Sequence, residues 1–297
     1  MKKTIQRILQ AVISLGILAW LLRQADLAQV GAMVKAAHPG YLFGVLVLLT
    51  GSRLLMPLKW KLLLDATGVS VPRWSLIRIY YSSAFAGTVL PATVGGDAVR
   101  LVLVARAGVP VRPALFSILV ERVVGLLVMA VLSVMGAWML SRWAAVPDLP
   151  LDKLGLVFLV LAVFSLVTVI LLRRRLAGLR VYALVFFALL TAVEAGMLIG
   201  SALLTVRALG LPLAAGYVLA FMPIQILVAR LPISLAGWGV HEAGFVYFLG
   251  QAGVPVSVGL AAGLLHHALL VLALAPGALG LATYREAAHD PSIHART

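Results

Sequence analysis

The sequence is short of charge and lacks cysteine altogether. None of its 297 residues is Cys, so neither a disulfide bond nor a thiolate metal site is available. Only 11% of the residues are charged, whereas a soluble globular protein has about a quarter. Acidic residues are the scarcer sign, with 10 Asp and Glu against 24 Lys and Arg. No segment is long and polar enough to predict a separate soluble domain.

Apolar residues make up 63% of the chain. About six apolar stretches approach or exceed the roughly 20 residues that a helix needs to cross a bilayer. The composition therefore predicts an all-α, polytopic membrane protein. The N-terminal run "MKKTIQRILQAVISLGILAW" resembles a signal peptide but is followed by no clear small-residue cleavage site, so we expect an uncleaved first helix.

The distribution of Lys and Arg predicts how the chain crosses the membrane. If the N-terminus is cytoplasmic, most loop cations fall on the cytoplasmic side, including Lys59, Lys61 and the cluster at 173–180. This bias holds only if the regions 74–107 and 213–251 each enter and leave on one side. We therefore expect about six full crossings plus two re-entrant hairpins, with both termini cytoplasmic. The expected crossings are residues 5–22, 41–58, 113–140, 154–172, 182–206 and 257–284.

An internal repeat supports this topology. The segments "LPATVGGDAVRLVLVARAGVP" at 90–110 and "LPISLAGWGVHEAGFVYFLGQAGVP" at 231–255 both begin Leu-Pro and pass through glycines to a charge. Both end in Ala-Gly-Val-Pro, and both are followed at the same distance by a polar pair, Glu121–Arg122 or His266–His267. Recurrence in two matching frames predicts that the chain consists of two related halves.

The repeat sets the expected domain organisation. We expect one transmembrane domain whose halves cover about 41–140 and 182–284, each containing one of the re-entrant hairpins. Because the two hairpins enter from opposite sides, the halves form an inverted repeat, an architecture found in transporters. Residues 285–297 are expected to be a polar cytoplasmic tail.

The residues at the two breaks predict an anion site. Proline stops a helix, and Gly95 and Gly96 permit backbone angles that other residues avoid. A helix that restarts there offers free N–H groups and a positive dipole end to a phosphate or carboxylate. Gly237 and Gly239 are expected to act likewise, with Ser234 as a hydroxyl donor. The alternative is that these glycines only let helices pack closely.

The acidic residues within apolar segments are Asp97, Glu121, Glu194 and Glu242. A charge there costs at least about 2.5–3.5 kcal/mol, so we expect each to line a cavity or to pair. Asp97 and Arg100 are three residues apart, share a helix face and are candidates to pair with each other. Glu121 and Arg122 point about 100° apart, which leaves Arg122 to meet Asp97, Glu242 or a lipid phosphate.

Arg53 and several tryptophans can be interpreted either as membrane-interface residues or as part of the protein interior. Arg53 either snorkels to the inner interface beside Lys59 or belongs to the polar interior. Trp238 lies in the second break and either packs against a ligand or fills the hairpin. The remaining tryptophans near span ends are expected to anchor the membrane interface: Trp20, Trp60, Trp74 and Trp143.

The sequence contains no complete motif for metal binding or covalent catalysis. "HEAGF" at 241–245 lacks the second histidine of a zinc-protease motif, and His266 and His267 are adjacent and splay on a helix. We expect these two histidines to hydrogen-bond within a polar cavity, with some sensitivity to pH. Without a nucleophile motif or a phosphate-binding loop, the sequence predicts no catalytic residue, no cofactor and no enzyme activity.

Three motifs carry a resemblance to a known family. "LPATVGGDAVR" at 90–100, "ERVVGLL" at 121–127 and "LPISLAGWGVHEAGF" at 231–245 resemble the lysylphosphatidylglycerol synthase transmembrane-region family, also called flippase-like domain proteins. The resemblance implies a membrane domain that moves lipids between leaflets. In full-length synthases a cytosolic aminoacyl-transferase domain follows, and this chain is not expected to make an aminoacyl-lipid by itself. The second motif reads Ala-Gly-Trp-Gly where a glycine pair is expected.

The sequence thus predicts a lipid translocator of the bacterial cytoplasmic membrane. Its expected partners are membrane lipids with an anionic or aminoacylated phospholipid head group, and a second copy of the chain or a lipid synthase, but no nucleic acid. Arginines are expected to attract the phosphate and acids to balance it or hold an amine. The candidate substrate-binding residues are Asp97, Arg100, Glu121, Arg122, Arg230, Glu242, Gly95, Gly96, Ser234, Gly237, Gly239, Trp238, His266 and His267.

Two other classes of function stay open at this point. One is a proton-coupled secondary transporter of a small solute, which the same architecture would serve. The other is an accessory membrane subunit of a lipid-modifying enzyme, or an intramembrane enzyme. A cavity that opens sideways toward lipid favours the translocator, whereas a sealed vestibule favours a solute.

Overall fold

The computed structural model describes residues 2–88, 90, 93–142, 181–229 and 233–283. This part of the chain is all-helical and contains no β-strand. The predicted crossing at 154–172 and the predicted tail at 285–297 lie outside the described residues. The helices are α1 Lys2–Gln24, α2 Leu27–Ala36, α3 Pro39–Ala66, α4 Arg73–Gly87, α5 Thr93–Arg106, α6 Val111–Arg142, α7 Val181–Ala208, α8 Ala215–Ala229, α9 Val240–Gln251, α10 Val256–Leu274 and α11 Pro276–Thr283.

Within the described ranges, four helices are long and apolar enough to cross a membrane: Pro39–Ala66, Val111–Arg142, Ala183–Ala208 and Val256–Leu274. They overlap four of the predicted crossings, although the first continues to Ala66 and the last ends at Leu274 instead of 284. A fifth candidate is the pair α1 and α2, which bend by 91° at their junction. The described residues therefore define a multi-pass membrane protein with four or five candidate spans.

The bend between α1 and α2 is fixed by Asp26. Its carboxylate accepts hydrogen bonds from the N–H groups of Ala28 and Gln29, at 2.9 and 3.2 Å, and so caps the start of α2. Its own N–H donates to the Ser257 hydroxyl at the start of α10, at 2.9 Å. The end of α1 is thereby tied to the second half of the chain.

Helix order repeats between α3–α6 and α7–α10, since each set runs long, short, short, long. In each set, the first long helix and the second short helix end in matching turns. In the Ala-Gly-Val-Pro turns, Val109 N–H donates to the Val104 carbonyl and Val254 N–H to the Leu249 carbonyl, both at 3.1 Å. Each of these turns needs a residue with positive φ, which glycine supplies. The glycines, with their φ angles, are Gly68 (82°), Gly108 (73°), Gly210 (68°) and Gly253 (78°).

The two predicted hairpin regions each form a helix–break–helix unit. Helices α4 and α5 have 15 and 14 residues, and α8 and α9 have 15 and 12. At 1.5 Å per residue none of the four reaches across the roughly 30 Å hydrocarbon core alone. Within each unit the two short helices pack against each other. The breaks fall at the two Leu-Pro motifs.

Helix packing brings both units to the centre of the molecule. Helix α3 packs along α7, α6 along α8, and α10 against α9, α2 and α3. Aromatic rings join α8 to α9: Phe221 stacks on Phe248 at 5.0 Å, and the Tyr217 hydroxyl donates to the Phe248 carbonyl at 2.6 Å. Gly136 of α6 touches the backbone of Ala220 in α8, an approach that no larger residue permits.

Candidate functional site

A cavity of about 420 Å³ lies where the two helix–break–helix units meet the long helices. The first break contributes Thr88 to its wall, α5 contributes Gly96, and the second break contributes Ala236 and Gly237. Its charged lining residues are Arg53, Lys59, Asp97, Arg100, Glu121, Arg122 and Glu194. So many charges inside a membrane protein mark a polar compartment with a functional purpose.

The cavity gathers more than half of the residues predicted from sequence. Those in its lining are Gly96, Asp97, Arg100, Glu121, Arg122, Gly237, His266 and His267. Those placed outside the lining are Gly95, Ser234, Trp238, Gly239 and Glu242. Arg230 lies outside the described residues.

Arg100 is a deeply enclosed cation of the site, with 2% of its surface exposed. Its two terminal nitrogens bond to the two carboxylate oxygens of Glu121 at 3.3 and 3.0 Å, in the fork geometry that strengthens Arg–carboxylate pairs. The guanidinium lies over the Trp60 ring, 3.7 Å from the centroid. Trp60 is in turn held by a 2.8 Å hydrogen bond from its Nε1 to the Ser117 hydroxyl. Arg100 is therefore clamped between α3 and α6.

Asp97 pairs with Arg122, not with Arg100. The Arg122 Nε and Nη2 lie 2.8 and 2.7 Å from the Asp97 Oδ2. The pairing of Asp97 with Arg100 suggested by their spacing is wrong, because a neighbouring helix offers each of them a partner. Glu121 and Arg122 do point apart, and they reach two different residues of α5.

The Asp97–Arg122 pair marks the mouth of the cavity. The Arg122 side chain is 45% exposed, although it lies well inside the 32-residue helix α6. Leu115 and Leu119 precede it by seven and three residues and so share its helix face, and both are 42% exposed. An exposed apolar face of a membrane-spanning helix faces lipid. The cavity thus opens toward the lipid-facing surface of α6.

Lys59 and Glu194 form a second buried pair that the sequence did not predict. Lys59 is 1% exposed, and its ammonium bonds to the Glu194 carboxylate and, at 3.3 Å, to the Thr191 hydroxyl. Its assignment to a cytoplasmic loop is wrong, because α3 continues to Ala66 rather than ending near residue 58. The signal was present in "KWKLLLDA", where apolar residues resume after the two lysines.

The same continuation of α3 corrects two further interpretations. Trp60 is fully buried, so it is not an interface anchor. Trp20 and Trp74 are exposed as anchors would be, and Trp143 lies outside the described residues. Arg53 stands near the middle of α3 and lines the cavity, which excludes snorkelling beside an interfacial Lys59.

Three histidines extend the polar wall on the side of α9 and α10. The His266 Nε2 lies 2.9 Å from the Ser201 hydroxyl, and its Nδ1 lies 3.1 Å from the His241 Nε2. Hydrogen bonds therefore join Ser201, His266 and His241 in one chain along the cavity wall.

Glu242 and Trp238 contact His267 on the side that faces away from the cavity. Its Nδ1 lies 2.7 Å from the Glu242 Oε1, and the Trp238 ring stacks on it at 4.1 Å. The other Glu242 oxygen accepts the Gly239 N–H at 2.7 Å, as the start of α9 is capped. Glu242 and Trp238 thus position His267 and do not face the cavity themselves. No group of three or more His, Asp or Glu in the described residues is placed to hold a metal.

The break glycines differ in role from one half to the other. Gly237 and Gly239 have φ angles of 88° and 82°, as expected for a backbone break. The Gly239 N–H is already taken by Glu242, and a Cβ there would lie 2.9 Å from the Ser14 carbonyl of α1, so Gly239 is not a free anion donor. Ser234 is buried, outside the lining, and its hydroxyl has no partner among the described residues.

In the first half, Gly95 and Gly96 lie inside α5 rather than in a break. A Cβ at Gly96 would lie 3.0 Å from the Ser83 carbonyl and 3.5 Å from the Gly87 Cα. The prediction that these glycines supply unusual backbone angles is wrong. Gly96 lets α4 and α5 approach closely, which was the alternative, and Gly95 makes room for Leu90 of the break, whose Cβ would lie 2.9 Å from an added Cβ.

The fold and this site define a class: a multi-pass α-helical membrane protein with a charged cavity between its helices. The sequence matches the family model described as Lysylphosphatidylglycerol synthase TM region over residues 7–277, so the chain belongs to that family. A comparison with curated proteins finds no match. The family assignment agrees with the resemblance carried by the three motifs.

Proposed function

We propose that the protein moves a polar-headed lipid, a phospholipid or an aminoacyl-lipid, between the leaflets of the bacterial cytoplasmic membrane. The observation that carries the proposal is the charged cavity with its mouth at Asp97–Arg122. That mouth adjoins the apolar exposed face of α6. A lipid can therefore keep its acyl chains in the bilayer while its head group enters the cavity.

Such a cavity would lower the free-energy cost of moving a lipid head group through the hydrocarbon core of the bilayer. A charged group at the bilayer centre costs at least about 2.5–3.5 kcal/mol, and a head group must cross that region to change leaflets. The cavity offers it charges, hydroxyls and histidines instead. Its volume of about 420 Å³ falls within the range of small-molecule sites and suits a head group.

The two helix–break–helix units fit the proposal if they are re-entrant hairpins inserted from opposite sides. Their helices are too short to cross alone, and residues of both breaks meet at the cavity. We place both chain termini in the cytoplasm and treat the two halves as an inverted repeat within one domain. Opening alternately to the two leaflets would then require only a rocking of one half against the other.

The source of energy follows from what the sequence offers. It has no nucleotide-binding loop, so transport runs downhill or is coupled to protons through one of the cavity acids. We expect no enzyme activity from this chain and no cofactor. A partner synthase would supply an aminoacylated lipid, and lipids are the direct ligands.

The test is reconstitution of the purified chain in liposomes that contain phosphatidylglycerol with a fluorescent label. A membrane-impermeant reductant bleaches label in the outer leaflet, so continued bleaching reports movement from the inner leaflet. We expect wild-type protein to expose the inner label and Arg122→Gln to slow this about tenfold or more, as expected for loss of a charged hydrogen bond.

Arg112→Gln is the matched control, since Arg112 is exposed on the same helix and outside the cavity lining. It should keep the wild-type rate. Bleaching no faster than in protein-free liposomes would refute translocation. Equal rates in wild type and Arg122→Gln would refute the role of the mouth.

A further inference from the structure

The charges of the cavity wall do not balance. Among the residues that the structure describes, four cations line it, Arg53, Lys59, Arg100 and Arg122, against three carboxylates. Each carboxylate is taken by one cation: Glu194 by Lys59, Glu121 by Arg100 and Asp97 by Arg122. Arg53 is left over, and within the described ranges no carboxylate forms an ion pair with it. With neutral histidines, the lining carries one net positive charge.

Arg53 also has hydrogen-bonding capacity to spare. Its Nε is buried with no hydrogen-bond partner among the described residues. Its position near the middle of α3 keeps the guanidinium away from both membrane surfaces. Its charge acts electrostatically on Tyr80 and Tyr81 of α4 and on His266 of α10, so its field reaches residues on two other helices.

An arginine in this position needs a partner. Arg stays charged under all ordinary conditions, and an unpaired charge inside a membrane protein is costly. The other three cations each have a carboxylate partner, so a ligand anion would have to compete with an existing ion pair to neutralise any of them. The Arg100 Nε also lacks a hydrogen-bond partner, but the charge of Arg100 is balanced by Glu121. Arg53 binds an anion without such a cost, and its planar fork matches the oxygens of a phosphate.

We propose that Arg53 is the phosphate-binding residue of the cavity, and that the site selects a head group with one net negative charge. A phosphodiester such as that of phosphatidylglycerol neutralises the leftover charge. A zwitterionic head group adds an ammonium that no unpaired carboxylate in the described lining offsets. The inference rests on the proposed function in one respect, that the cavity admits a lipid head group.

The test compares ligands with the full chain purified in detergent. Binding of phosphatidylglycerol, phosphatidylethanolamine with the same acyl chains, and inorganic phosphate is measured by native mass spectrometry and by thermal stabilisation. We expect wild type to prefer phosphatidylglycerol about tenfold. Arg53→Gln should weaken phosphatidylglycerol binding about 10- to 100-fold and abolish its preference over phosphatidylethanolamine. Arg53→Lys, which keeps the charge but not the fork, should fall between the two.

Two controls separate binding from folding. Arg207→Gln removes an exposed arginine outside the cavity and should bind like wild type. Without lipid, Arg53→Gln should be at least as stable as wild type, because it removes an unpaired charge. A lower melting temperature for lipid-free Arg53→Gln would show a structural partner and overturn the assignment.

The remaining outcomes are equally decisive. Equal affinities of wild type for the two lipids, or an unchanged phosphatidylglycerol affinity in Arg53→Gln, would overturn the proposal. Inorganic phosphate that binds as tightly as the lipid would make the ligand a free anion. If Arg53-dependent lipid binding is found but liposomes show no lipid movement, translocation fails and the binding site stands. If lipid movement occurs but does not depend on Arg53, the assignment of Arg53 fails and translocation stands.

Discussion

Arg122 of α6 bonds Asp97 of α5 at 2.7 Å, while its neighbour Glu121 holds Arg100, three residues further along α5. The two pairs tie the same two helices together at adjacent points. Helix α5 follows the first break, so this double tie fixes the re-started helix relative to a long membrane-spanning helix. The pairs differ in one respect: Arg100 and Glu121 are buried, whereas the Arg122 side chain is 45% exposed.

That difference predicts unequal costs of breaking the two pairs. Glu121→Gln leaves the buried Arg100 charge without its partner, and we expect the free energy of unfolding to fall by about 3–5 kcal/mol. Arg122→Gln breaks a partly solvated pair and should cost about 1 kcal/mol or less. Thermal unfolding of both variants in the same detergent measures the difference. Equal destabilisation would show that burial does not separate the two pairs.

The Lys59–Glu194 pair gives a second prediction with an internal control two residues away. Lys59→Met leaves Glu194 charged and buried, so the free energy of unfolding should fall by about 3–5 kcal/mol. Lys61 pairs with Asp65 on the surface of the same helix, and Lys61→Met should cost less than about 1 kcal/mol. Similar melting temperatures for the two variants would contradict the burial of Lys59.

Much of the architecture could be predicted because the membrane restricts what a sequence can do. Apolar length located four spans that the structure contains, and Leu-Pro motifs located both breaks. Charged residues in apolar segments are expensive unless they meet, which is why Asp97, Arg100, Glu121 and Arg122 could be assigned to one site. The order of helix lengths in α3–α6 recurs in α7–α10.

What could not be predicted depends on how helices rotate against each other. Spacing along α5 favours Asp97 with Arg100, but each finds a better partner on α6 once the helices pack. The burial of Lys59 and Trp60 depends on where α3 ends, and two lysines obscured that end. A glycine pair such as Gly95–Gly96 is also typical of a flexible break, and only the distance from Gly96 to α4 shows that this glycine serves close packing.

Substitutions of Trp60 can separate the energetic contributions of its ring contact with Arg100 and its hydrogen bond to Ser117. Trp60→Phe keeps a ring beneath the Arg100 guanidinium but loses the Nε1 hydrogen bond to Ser117. Trp60→Leu loses both contacts. We expect Phe to cost about 1–2 kcal/mol and Leu about 1–2 kcal/mol more, since a desolvated cation–π contact contributes up to about 2 kcal/mol. Thermal unfolding compares the variants, and equal stabilities of Phe and Leu would show that the ring contributes nothing to holding Arg100.

The stability change caused by Gly96→Ala distinguishes the two roles considered for Gly96, a flexible backbone break and close helix packing. Alanine is a better helix former than glycine by about 1 kcal/mol, so Gly96→Ala would stabilise α5 if the site had room. The new Cβ would instead lie 3.0 Å from the Ser83 carbonyl, a backbone atom that cannot move aside alone. We expect α4 and α5 to separate and the free energy of unfolding to fall by about 1–3 kcal/mol. Gly16→Ala in α1, where nothing lies within 4 Å, should be stabilised or unchanged. Thermal unfolding of the two variants tests the contrast, and a gain in stability for Gly96→Ala would show that α4 and α5 are not in close contact there.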